Sequence, residues 1–255
     1  QFATLRPIRL LVLAIVLGFI GWFAQAQLSI VTVLAVFRAV IDGRSLSFLL
    51  YDPVSLLLWV YVIITLYIWG RGTFCGWLCP FGALQELLHT VGKTIGLVQA
   101  SIPTKLEAWL MRIKYFILTI LVVAVIISTK LADALVEVEP FKTVITLAFE
   151  RVWPFVFYAG VLLVLNLFVF KAFCRFICPL GAALALPTRF FRFSWIKRRA
   201  ECGTPCKLCK ARCGYGAIKS SGEVDYTSCF QCMECLAIHD DKTVCVPLVL
   251  AGRNK

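Results

Sequence analysis

The residues with the clearest chemical potential are cysteines, of which the 255-residue chain has twelve. Eight lie near the C-terminus, in "CGTPCKLCKARC" and "CFQCMECLAIHDDKTVC". Four thiolates hold an iron–sulfur cubane, and in two-cluster ferredoxins the fourth cysteine of each motif binds the other cluster. This rule predicts two [4Fe-4S] clusters, with Cys202, Cys206, Cys209 and Cys245 on the first and Cys229, Cys232, Cys235 and Cys213 on the second.

Structural zinc is the alternative for these eight cysteines. Zinc ribbons pair their cysteines two and two, whereas here two triplets each have a distant fourth cysteine, which favours iron–sulfur. The motifs also depart from the ferredoxin pattern. Three residues, Gly203 to Pro205, stand where a ferredoxin has two, and Gly214 and Val246 follow the fourth cysteines where proline is usual.

The segment between the two motifs, "GYGAIKSSGEVDYTS", predicts a short hairpin around Ser221 and Gly222. This agrees with a small α+β, two-cluster ferredoxin-like domain, which we place at residues 199–255. Because the segment has few apolar residues, the clusters would supply much of its folding free energy.

The other four cysteines belong to an internal repeat. "TFCGWLCPFGALQE" begins at Thr73, and "AFCRFICPLGAALA" begins ninety-nine residues later, at Ala172. Pro80 suits the first position of a helix, and the leucines that follow predict an amphipathic helix against the inner leaflet. Cys79 and Cys178 would lie at helix N-termini, where partial positive charge lowers a thiol pKa.

Several roles fit these repeat cysteines. They could form a redox thiol pair, a soft metal site such as one for Cu(I), or a contact surface for a quinone or a cluster. They could also be small side chains that pack where the chain leaves the membrane. The candidate second redox or metal site comprises Cys75, Cys79, Cys174 and Cys178.

The elements that position these cysteines are strongly apolar. Hydrophobic residues make up 60% of the chain and charged residues only 16%, which is typical of a membrane protein. The charge-free stretches, each near the length of a membrane span, are residues 10–37, 53–70, 115–129 and 152–170. We predict an α-helical membrane protein with four transmembrane helices in two tandem span-pairs, at residues 1–98 and 99–198.

The basic residues predict the orientation. Of the 26 lysines and arginines, 21 lie in the tail, the loop and the C-terminal segment on one side of the predicted spans. The positive-inside rule places that side in the cytoplasm. We therefore expect an inner-membrane protein with both ends of this chain, and both repeat elements, on the cytoplasmic side. The net charge of +12 follows from the same asymmetry and requires no nucleic acid.

Other function classes are disfavoured by what the sequence contains. The two histidines, His89 and His239, lie outside the spans, so a bis-histidine haem is not expected, and both are predicted at the surface. No glycine-rich phosphate loop follows a strand, and the predicted spans contain no acidic residue, which disfavours proton-coupled transport. Basic residues around Lys207 either dock an acidic donor or reflect the positive-inside bias.

Taken together, "TFCGWLCPFGALQE", "CRFICPLGAALALPTRF", "CGTPCKLC" and "CFQCMECLAIHDDKTVCVP" resemble a known family. The chain is similar to the C-terminal half of NosR and NirI, accessory proteins of nitrous oxide reductase. It shares parts of the pattern with NapH and with CcoG/FixG-type membrane ferredoxins. The resemblance covers essentially the whole chain.

The resemblance implies a membrane-bound electron-transfer component rather than a stand-alone enzyme. Electrons would pass between a cytoplasmic or quinol donor and a periplasmic acceptor, such as a flavin domain or nitrous oxide reductase. A preceding span and a periplasmic domain carrying FMN would lie upstream of Gln1. Two other functions stay open: assembly of a copper or other metal centre through the repeat cysteines, and redox-linked regulation.

Overall fold

The protein is almost entirely helical in a computed structural model, which describes residues 2–25, 28–43, 45, 47, 53–100, 102–188 and 194–253. No described residue belongs to a named β-strand. The α-helices are α1 (Phe2–Ile15), α2 (Ile30–Ile41), α3 (Pro53–Ile68), α4 (Pro80–Thr94), α5 (Thr104–Ile127), α6 (Thr129–Leu135), α7 (Trp153–Phe168), α8 (Ala172–Phe176), α9 (Pro179–Thr188), α10 (Leu208–Arg212), α11 (Glu234–Asp240) and α12 (Val246–Arg253).

Helices form where the apolar stretches predicted them. The π-helix Val16–Phe23 continues α1, and this combined helix, α3, α5 and α7 each overlap one charge-free stretch. Helix α2 begins in the last part of the first stretch. Two segments, Leu5–Phe23 and Lys105–Ile127, are long and apolar enough to cross a bilayer. Large apolar side chains on these helices face outward; Phe23 is 81% exposed and Ile127 is 71% exposed. Such surfaces suit contact with lipid.

Helix α4 is where we predicted it, but its surroundings differ. Instead of lying against a leaflet, it packs between α1 and α7. Its polar side chains Gln85, Glu86 and His89 are buried, while Val91, on the predicted apolar face, is 51% exposed. The reason is that lipid accommodates apolar side chains as readily as a protein core does, whereas polar groups away from water need partners inside the protein.

Helix α4 runs antiparallel to α1. Its first residue, Pro80, packs against Gly21, and Glu86 pairs with Arg9. The two contacts therefore run in opposite directions along the two helices. The first repeat element, carried by the π-helix Phe74–Leu78, therefore lies alongside this helix, inside the bundle.

The segment between α6 and α7 also folds into the bundle. Phe141 contacts Phe81 and Phe173, with ring centroids 5.1 and 5.9 Å away, and Phe81 and Phe173 lie 5.3 Å apart. Since Phe81 follows Pro80 and Phe173 precedes Cys174, this aromatic trio covers one side of both repeat elements.

The C-terminal unit consists of loops and three short helices around the eight clustered cysteines. The predicted hairpin exists as an isolated antiparallel bridge between Ile218 and Val224, with Gly222 donating a backbone hydrogen bond to Lys219. The unit packs on the repeat elements through residues 229–231. The backbones approach so closely at Gly76 that a Cβ added there would lie 1.9 Å from the Phe230 carbonyl oxygen.

Candidate metal centres

The two repeat elements place their cysteines in matching local structure. Cys79 is the N-cap of α4, and its sulfur accepts a hydrogen bond from the Gly82 amide at 3.4 Å. Cys178 precedes α9 and accepts the equivalent bond from Gly181 at 3.2 Å. Each proline fits because the first residue of a helix needs no amide donor. The prediction that Cys79 and Cys178 lie at helix N-termini is confirmed.

The glycine two residues after each proline lies against the preceding cysteines, tightly in the first copy and at ordinary contact distance in the second. A Cβ on Gly82 would lie 3.0 Å from the Cys75 carbonyl oxygen and 3.7 Å from the Cys79 sulfur. A Cβ on Gly181 would lie 3.6 Å from both the Cys174 carbonyl oxygen and the Cys178 sulfur. The Cys-Pro-x-Gly spacing therefore keeps the space beside both capping thiols open.

The structure brings the four repeat cysteines together. All four are buried, and Cys174 lies close enough to interact electrostatically with Cys75, Cys79 and Cys178. The Gln85 side-chain amide donates to the Cys174 sulfur at 3.4 Å. Two thiol pairs that are ninety-nine residues apart in the chain thus form one internal group, which we call the four-thiol site.

The predicted thiolate character of these cysteines is wrong in this environment. Burial raises the pKa of Cys79 and of Cys178, and it raises the pKa of Cys174 to about 12. The amide of Gly82 works in the opposite direction for Cys79 but has the smaller effect. One amide at a helix N-terminus is outweighed by the loss of hydration around a fully enclosed sulfur.

Buried basic side chains flank the four-thiol site, among them Arg71 and Lys171. The Arg71 Nη1 atom donates to the Gly181 carbonyl oxygen at 3.3 Å, which links the two repeat copies. Lys171 is 0% exposed and adopts a left-handed backbone conformation directly before α8. Arg71 and Lys171 both act to lower the pKa of Cys75, although burial raises it overall. A negatively charged group bound by these thiols would gain from both cations.

Lys171 also belongs to a buried ion network centred on Glu86. Arg9 donates to the two Glu86 carboxylate oxygens at 2.7 and 2.9 Å, and the Lys171 Nζ atom lies 2.9 Å from Oε2. The Tyr215 hydroxyl lies 3.3 Å from the same oxygen. Burial favours the neutral acid, yet Lys171 and Arg9 lower the pKa of Glu86 to about 2. The network joins α1, α4 and the C-terminal unit.

In the C-terminal unit, all four cysteines predicted for the second cluster line one cavity. These residues are Cys213, Cys229, Cys232 and Cys235. Cys209 reaches the same cavity from the first group. Burial raises the pKa of Cys229 to about 12. A thiol binds iron only as the thiolate, and burial makes its deprotonation unfavourable. The free energy of cluster binding would have to offset this cost.

The first predicted group is only partly assembled. Cys202, Cys206 and Cys209 line a second cavity together with Arg198, and Cys202 pairs with Cys206 in an isolated bridge. Cys245 lies outside that lining, and its sulfur is 3.1 Å from the Arg199 Nη1 atom. The structure therefore brings three of these four thiols around one cavity and places Cys245 beside Arg199.

Among the described residues, no three His, Cys, Asp or Glu side chains come together as the ligands of one metal ion do. In a tetrahedral zinc site the sulfurs would be about 3.8 Å apart, given Zn–S bonds of about 2.3 Å. The described thiols do not form such a tetrahedron, and four thiols around one cavity are also the donor set of a cubane.

The four-thiol site and the C-terminal unit meet at Phe230. Its ring stacks on Tyr215 at 4.5 Å, and the Arg71 guanidinium lies 4.7 Å from its centroid. The neighbouring Gln231 carbonyl accepts a hydrogen bond from the Trp77 indole at 2.9 Å. Cys229, which lines the cavity of the second predicted cluster, is next to Phe230 in the chain. The Phe230 ring contacts Arg71, which also interacts with Cys75.

Sequence reasoning missed several of these buried polar residues. His89 was expected at the surface, but it is buried with its Nδ1 atom 3.3 Å from the Asn166 carbonyl oxygen. His239 is half-buried and pairs with Asp240. Arg71 and Lys171 each come just before a repeat element, at the end of an apolar run, and this duplicated cation was the signal that could have identified them.

Comparison with known families gives two matches. The NosR family model matches residues 200–255, and a 4Fe-4S binding domain model matches residues 51–97 and 151–198. The regulatory protein NosR of Pseudomonas aeruginosa is 46% identical over 237 residues, which is 93% of this chain and 33% of that protein. A shorter NosR sequence of the same species is 46% identical over 76 residues, 76% of its length. The chain belongs to the NosR/NirI family.

Other relatives agree with this membership. NirI of Paracoccus denitrificans is 41% identical over 249 residues, 98% of this chain and 37% of that protein. The putative electron transport protein YccM of Escherichia coli is 29% identical over 191 residues, 70% of this chain and 52% of that protein. The chain spans about a third of the length of the NosR and NirI proteins it matches. No solved structure matches.

The 4Fe-4S binding domain matches fall on the two repeat copies. They contain the four-thiol site, for which the sequence left metal, redox and packing roles open. The NosR family model, in contrast, matches the region that contains the C-terminal cysteines. The repeat cysteines therefore lie in the part of the chain that is similar to 4Fe-4S binding domains, and the C-terminal cysteines lie in the part that matches the NosR family.

Proposed function

We propose that this chain is the membrane part of an iron–sulfur electron-transfer protein. It would pass electrons between a cytoplasmic or quinol donor and a periplasmic acceptor, such as nitrous oxide reductase or a flavin domain serving it. The observation that carries this proposal is the arrangement of Cys213, Cys229, Cys232 and Cys235 around one cavity that directly adjoins the four-thiol site.

The proposed architecture has four membrane spans: the helix Leu5–Phe23, α3, α5 and α7. Helices α3 and α7 are shorter apolar helices, so their charged or aromatic flanks would complete each crossing. Residues 1–98 and 99–198 form the two span-pairs, and residues 199–255 form the ferredoxin-like domain. Both chain ends would face the cytoplasm of an inner membrane. Reporter fusions after Arg253 and at Glu150 test this: the first should be active only as a cytoplasmic reporter and the second only as a periplasmic one.

Two [4Fe-4S] clusters are proposed in the C-terminal unit. Cys229, Cys232, Cys235 and Cys213 would hold the second, and Cys202, Cys206, Cys209 and Cys245 the first. Such clusters accept and release one electron at a time. The Arg198 guanidinium would offset negative charge beside Cys209. Arg199 donates a hydrogen bond to the Cys245 sulfur, and this bond would have to break for Cys245 to bind the first cluster.

For the four-thiol site we propose an iron–sulfur or thiol redox role rather than simple packing. The support is its enclosure between Phe141 and Phe230, its flanking cations and the repeated 4Fe-4S binding domain match. In this role Arg71 and Lys171 would stabilise the charge of the thiolate-bound group, and the aromatic trio would keep water away from it. FMN would belong to a domain upstream of Gln1.

Anaerobic purification tests the electron-transfer function. The protein should be brown, contain iron and acid-labile sulfide, and show a cubane EPR signal after reduction. Serine at Cys229 should remove the second cluster's share of this iron while the first cluster's signal persists. A colourless protein with stoichiometric zinc, or one lacking sulfide when oxygen is excluded throughout, would contradict the proposal.

A second candidate function is assembly of a copper or other soft-metal centre. A link to regulation would agree with the name of the relative "regulatory protein NosR". The burial of four neighbouring thiols in one site favours it, because thiolates select Cu(I). Replacing Cys75, Cys79, Cys174 and Cys178 by serine should then abolish metal transfer while the C-terminal clusters still cycle between oxidised and reduced states. Loss of electron transfer in the same variant supports the first function instead.

A further inference from the structure

A cavity of about 570 Å³ lies between the end of α9, residues 194–202 and the hairpin segment 219–227. One end is lined by Thr188, whose hydroxyl accepts a hydrogen bond from the Arg71 amide and whose side chain packs against Gly70. Gly70 and Arg71 follow α3, so the cavity reaches the end of a proposed membrane span. The volume suits a small organic molecule, and no role described above uses this space.

One wall of the cavity, residues 194–202, is fixed on the hairpin segment. The Ile196 amide donates a hydrogen bond to the Tyr226 hydroxyl at 3.0 Å, and Ile196 is buried. Gly222 approaches this wall so closely that a Cβ added there would lie 2.1 Å from the Cys202 carbonyl oxygen. The backbone on the two sides of the cavity is therefore held in a constant arrangement.

The lining of the cavity has more free basic charge than acidic charge. Its basic side chains are Lys197, Arg198, Arg199 and Lys219. Its two carboxylates already have partners: Glu223 pairs with Lys219 at 2.9 Å, and Asp225 accepts a hydrogen bond from the Thr227 hydroxyl at 2.6 Å. The remaining cations make the cavity attractive to an anion.

Arg198 offers the edge of a guanidinium that binds oxyanions. Its Nε and Nη2 atoms are buried and have no hydrogen-bond partner in the part of the chain that the structure describes. Arg9 shows what this edge does in the same protein, because its Nε and Nη2 atoms donate to the two carboxylate oxygens of Glu86 at 2.7 and 2.9 Å. Buried donors without an acceptor cost free energy. A group with two adjacent oxygen atoms would satisfy both donors of Arg198.

The position of the cavity indicates which oxyanion reaches it. Anionic lipids carry a phosphodiester at the membrane surface, and basic pockets at the ends of membrane helices bind such head groups. We propose that this cavity binds the phosphate group of a phosphate ester, held by two hydrogen bonds from Arg198 with Lys197 beside it. The head group of an anionic phospholipid and a soluble phosphate ester share this chemistry, and the experiment below distinguishes them.

Phosphate binding would also affect the first proposed cluster. Arg198 lines the cavity of Cys202, Cys206 and Cys209 as well, and it interacts with the Cys209 sulfur. A phosphate on Arg198 would bring negative charge close to that cluster, which should lower its reduction potential. This consequence rests on the proposed electron-transfer function, whereas phosphate binding itself does not.

Binding is tested on the purified full chain in phosphatidylcholine nanodiscs. Phosphatidylglycerol is the lipid probe, counted as retained lipid by native mass spectrometry, and glycerol 3-phosphate is the soluble probe, measured by titration calorimetry. Arg198→Lys keeps the charge but removes the two-donor edge, so it should weaken binding about tenfold. Lys197→Gln should weaken binding roughly threefold. Lys207→Gln is the matched control for lost charge, because Lys207 is exposed in the same unit but lies outside the lining.

Phosphatidylglycerol that is retained through Arg198 identifies a lipid site, and binding of glycerol 3-phosphate alone identifies a soluble ester. Equal binding by Arg198→Lys and the unmodified protein, or equal effects of Lys197→Gln and Lys207→Gln, would overturn the proposal. Iron, sulfide and the midpoint potential of the first cluster are measured in the same samples. Full iron without phosphate binding rejects only the phosphate site, whereas binding by a protein that lacks iron and sulfide rejects the electron-transfer function.

Discussion

The four-thiol site and the C-terminal unit hold their cysteines in opposite ways. In the four-thiol site every cysteine is buried in a helical bundle, and glycines and prolines fix the backbone around it. In the C-terminal unit seven of the eight cysteines are only half-buried, on loops and short helices. The first site is formed by the helical bundle, whereas the C-terminal unit has a small apolar core, including Ile218, Val224 and Ile238, around thiols that are mostly still partly exposed. Losing one thiol should therefore have different consequences in the two regions.

The largest contrast is expected between Cys232→Ser and Cys75→Ser. Loss of Cys232 should remove the second cluster, about four iron atoms, and with it much of the folding free energy of the C-terminal unit. Limited proteolysis should then cleave within residues 199–253. Cys75→Ser should leave that unit resistant, because the helices around the four-thiol site are held by packing. Equal resistance of both variants would show that the unit folds without its clusters.

This contrast also separates what the sequence could predict from what it could not. The spacing of the eight C-terminal cysteines and the Cys-Pro-x-Gly repeat are local patterns, so the helix starting at Pro80 was predictable. The burial of Glu86 and His89 was not. A helix with one apolar and one polar face shows that the faces differ, but it does not show whether lipid or protein covers the apolar one.

The convergence of the two repeat copies was predictable only in part. Tandem duplication suggested that the thiol pairs face each other, and the structure brings them together. The burial of the repeat elements inside the bundle was not predictable, because it depends on the antiparallel packing of α4 on α1. This packing is set by contacts between residues that are distant in sequence, namely Arg9 with Glu86 and Gly21 with Pro80. No sequence motif predicts the contact of Phe230 with Arg71 either, because the position of Phe230 depends on how the C-terminal unit packs on the helices.

A second prediction concerns the interface between the two regions. Gly76→Ala should separate them, because its Cβ would lie 1.9 Å from the Phe230 carbonyl oxygen and backbone must move. We expect a loss of several kcal/mol in stability and slower electron exchange between the C-terminal clusters and the four-thiol site, measured by rapid-mixing spectroscopy. Gly18→Ala is the control: nothing lies within 4 Å of its Cβ, so stability should be unchanged or slightly higher. Similar behaviour of the two variants would refute the docking geometry.

The ion network provides a third test. Glu86→Gln leaves Arg9 and Lys171 buried without their carboxylate, which should cost about 3–5 kcal/mol. Thermal unfolding in lipid nanodiscs measures this. Glu223→Gln, which removes an exposed pair with Lys219, should cost less than about 1 kcal/mol. Because the folded pKa of Glu86 is lowered to about 2, its stabilisation is complete above the ordinary value of 4.5 and is lost as the pH falls towards 2. In Glu86→Gln that part of the acid sensitivity should be absent.

The smallest expected effect is at Glu139, a buried carboxyl on the side of the four-thiol site away from the C-terminal unit. It accepts hydrogen bonds from the Ser29 hydroxyl at 2.9 Å and the Ile30 amide at 3.2 Å, yet burial raises its pKa to about 7. The sign is opposite to that of Glu86: the folded state binds the proton more tightly, so stability falls as the pH rises from 4.5 to about 7.

We expect roughly 2–3 kcal/mol of stability to be lost between pH 5 and pH 8 through Glu139. Glu139→Gln keeps the neutral shape, so its unfolding midpoint should change less over that range than that of the unmodified protein. The Glu137→Gln variant serves as the matched control, because the pKa of Glu137 is lowered by Arg151 and its stabilisation is constant in this window. If Glu139→Gln and the unmodified protein show the same pH dependence, the carboxyl is hydrated, and this side of the four-thiol site is open to water in a way that the C-terminal side, covered by Phe230, is not.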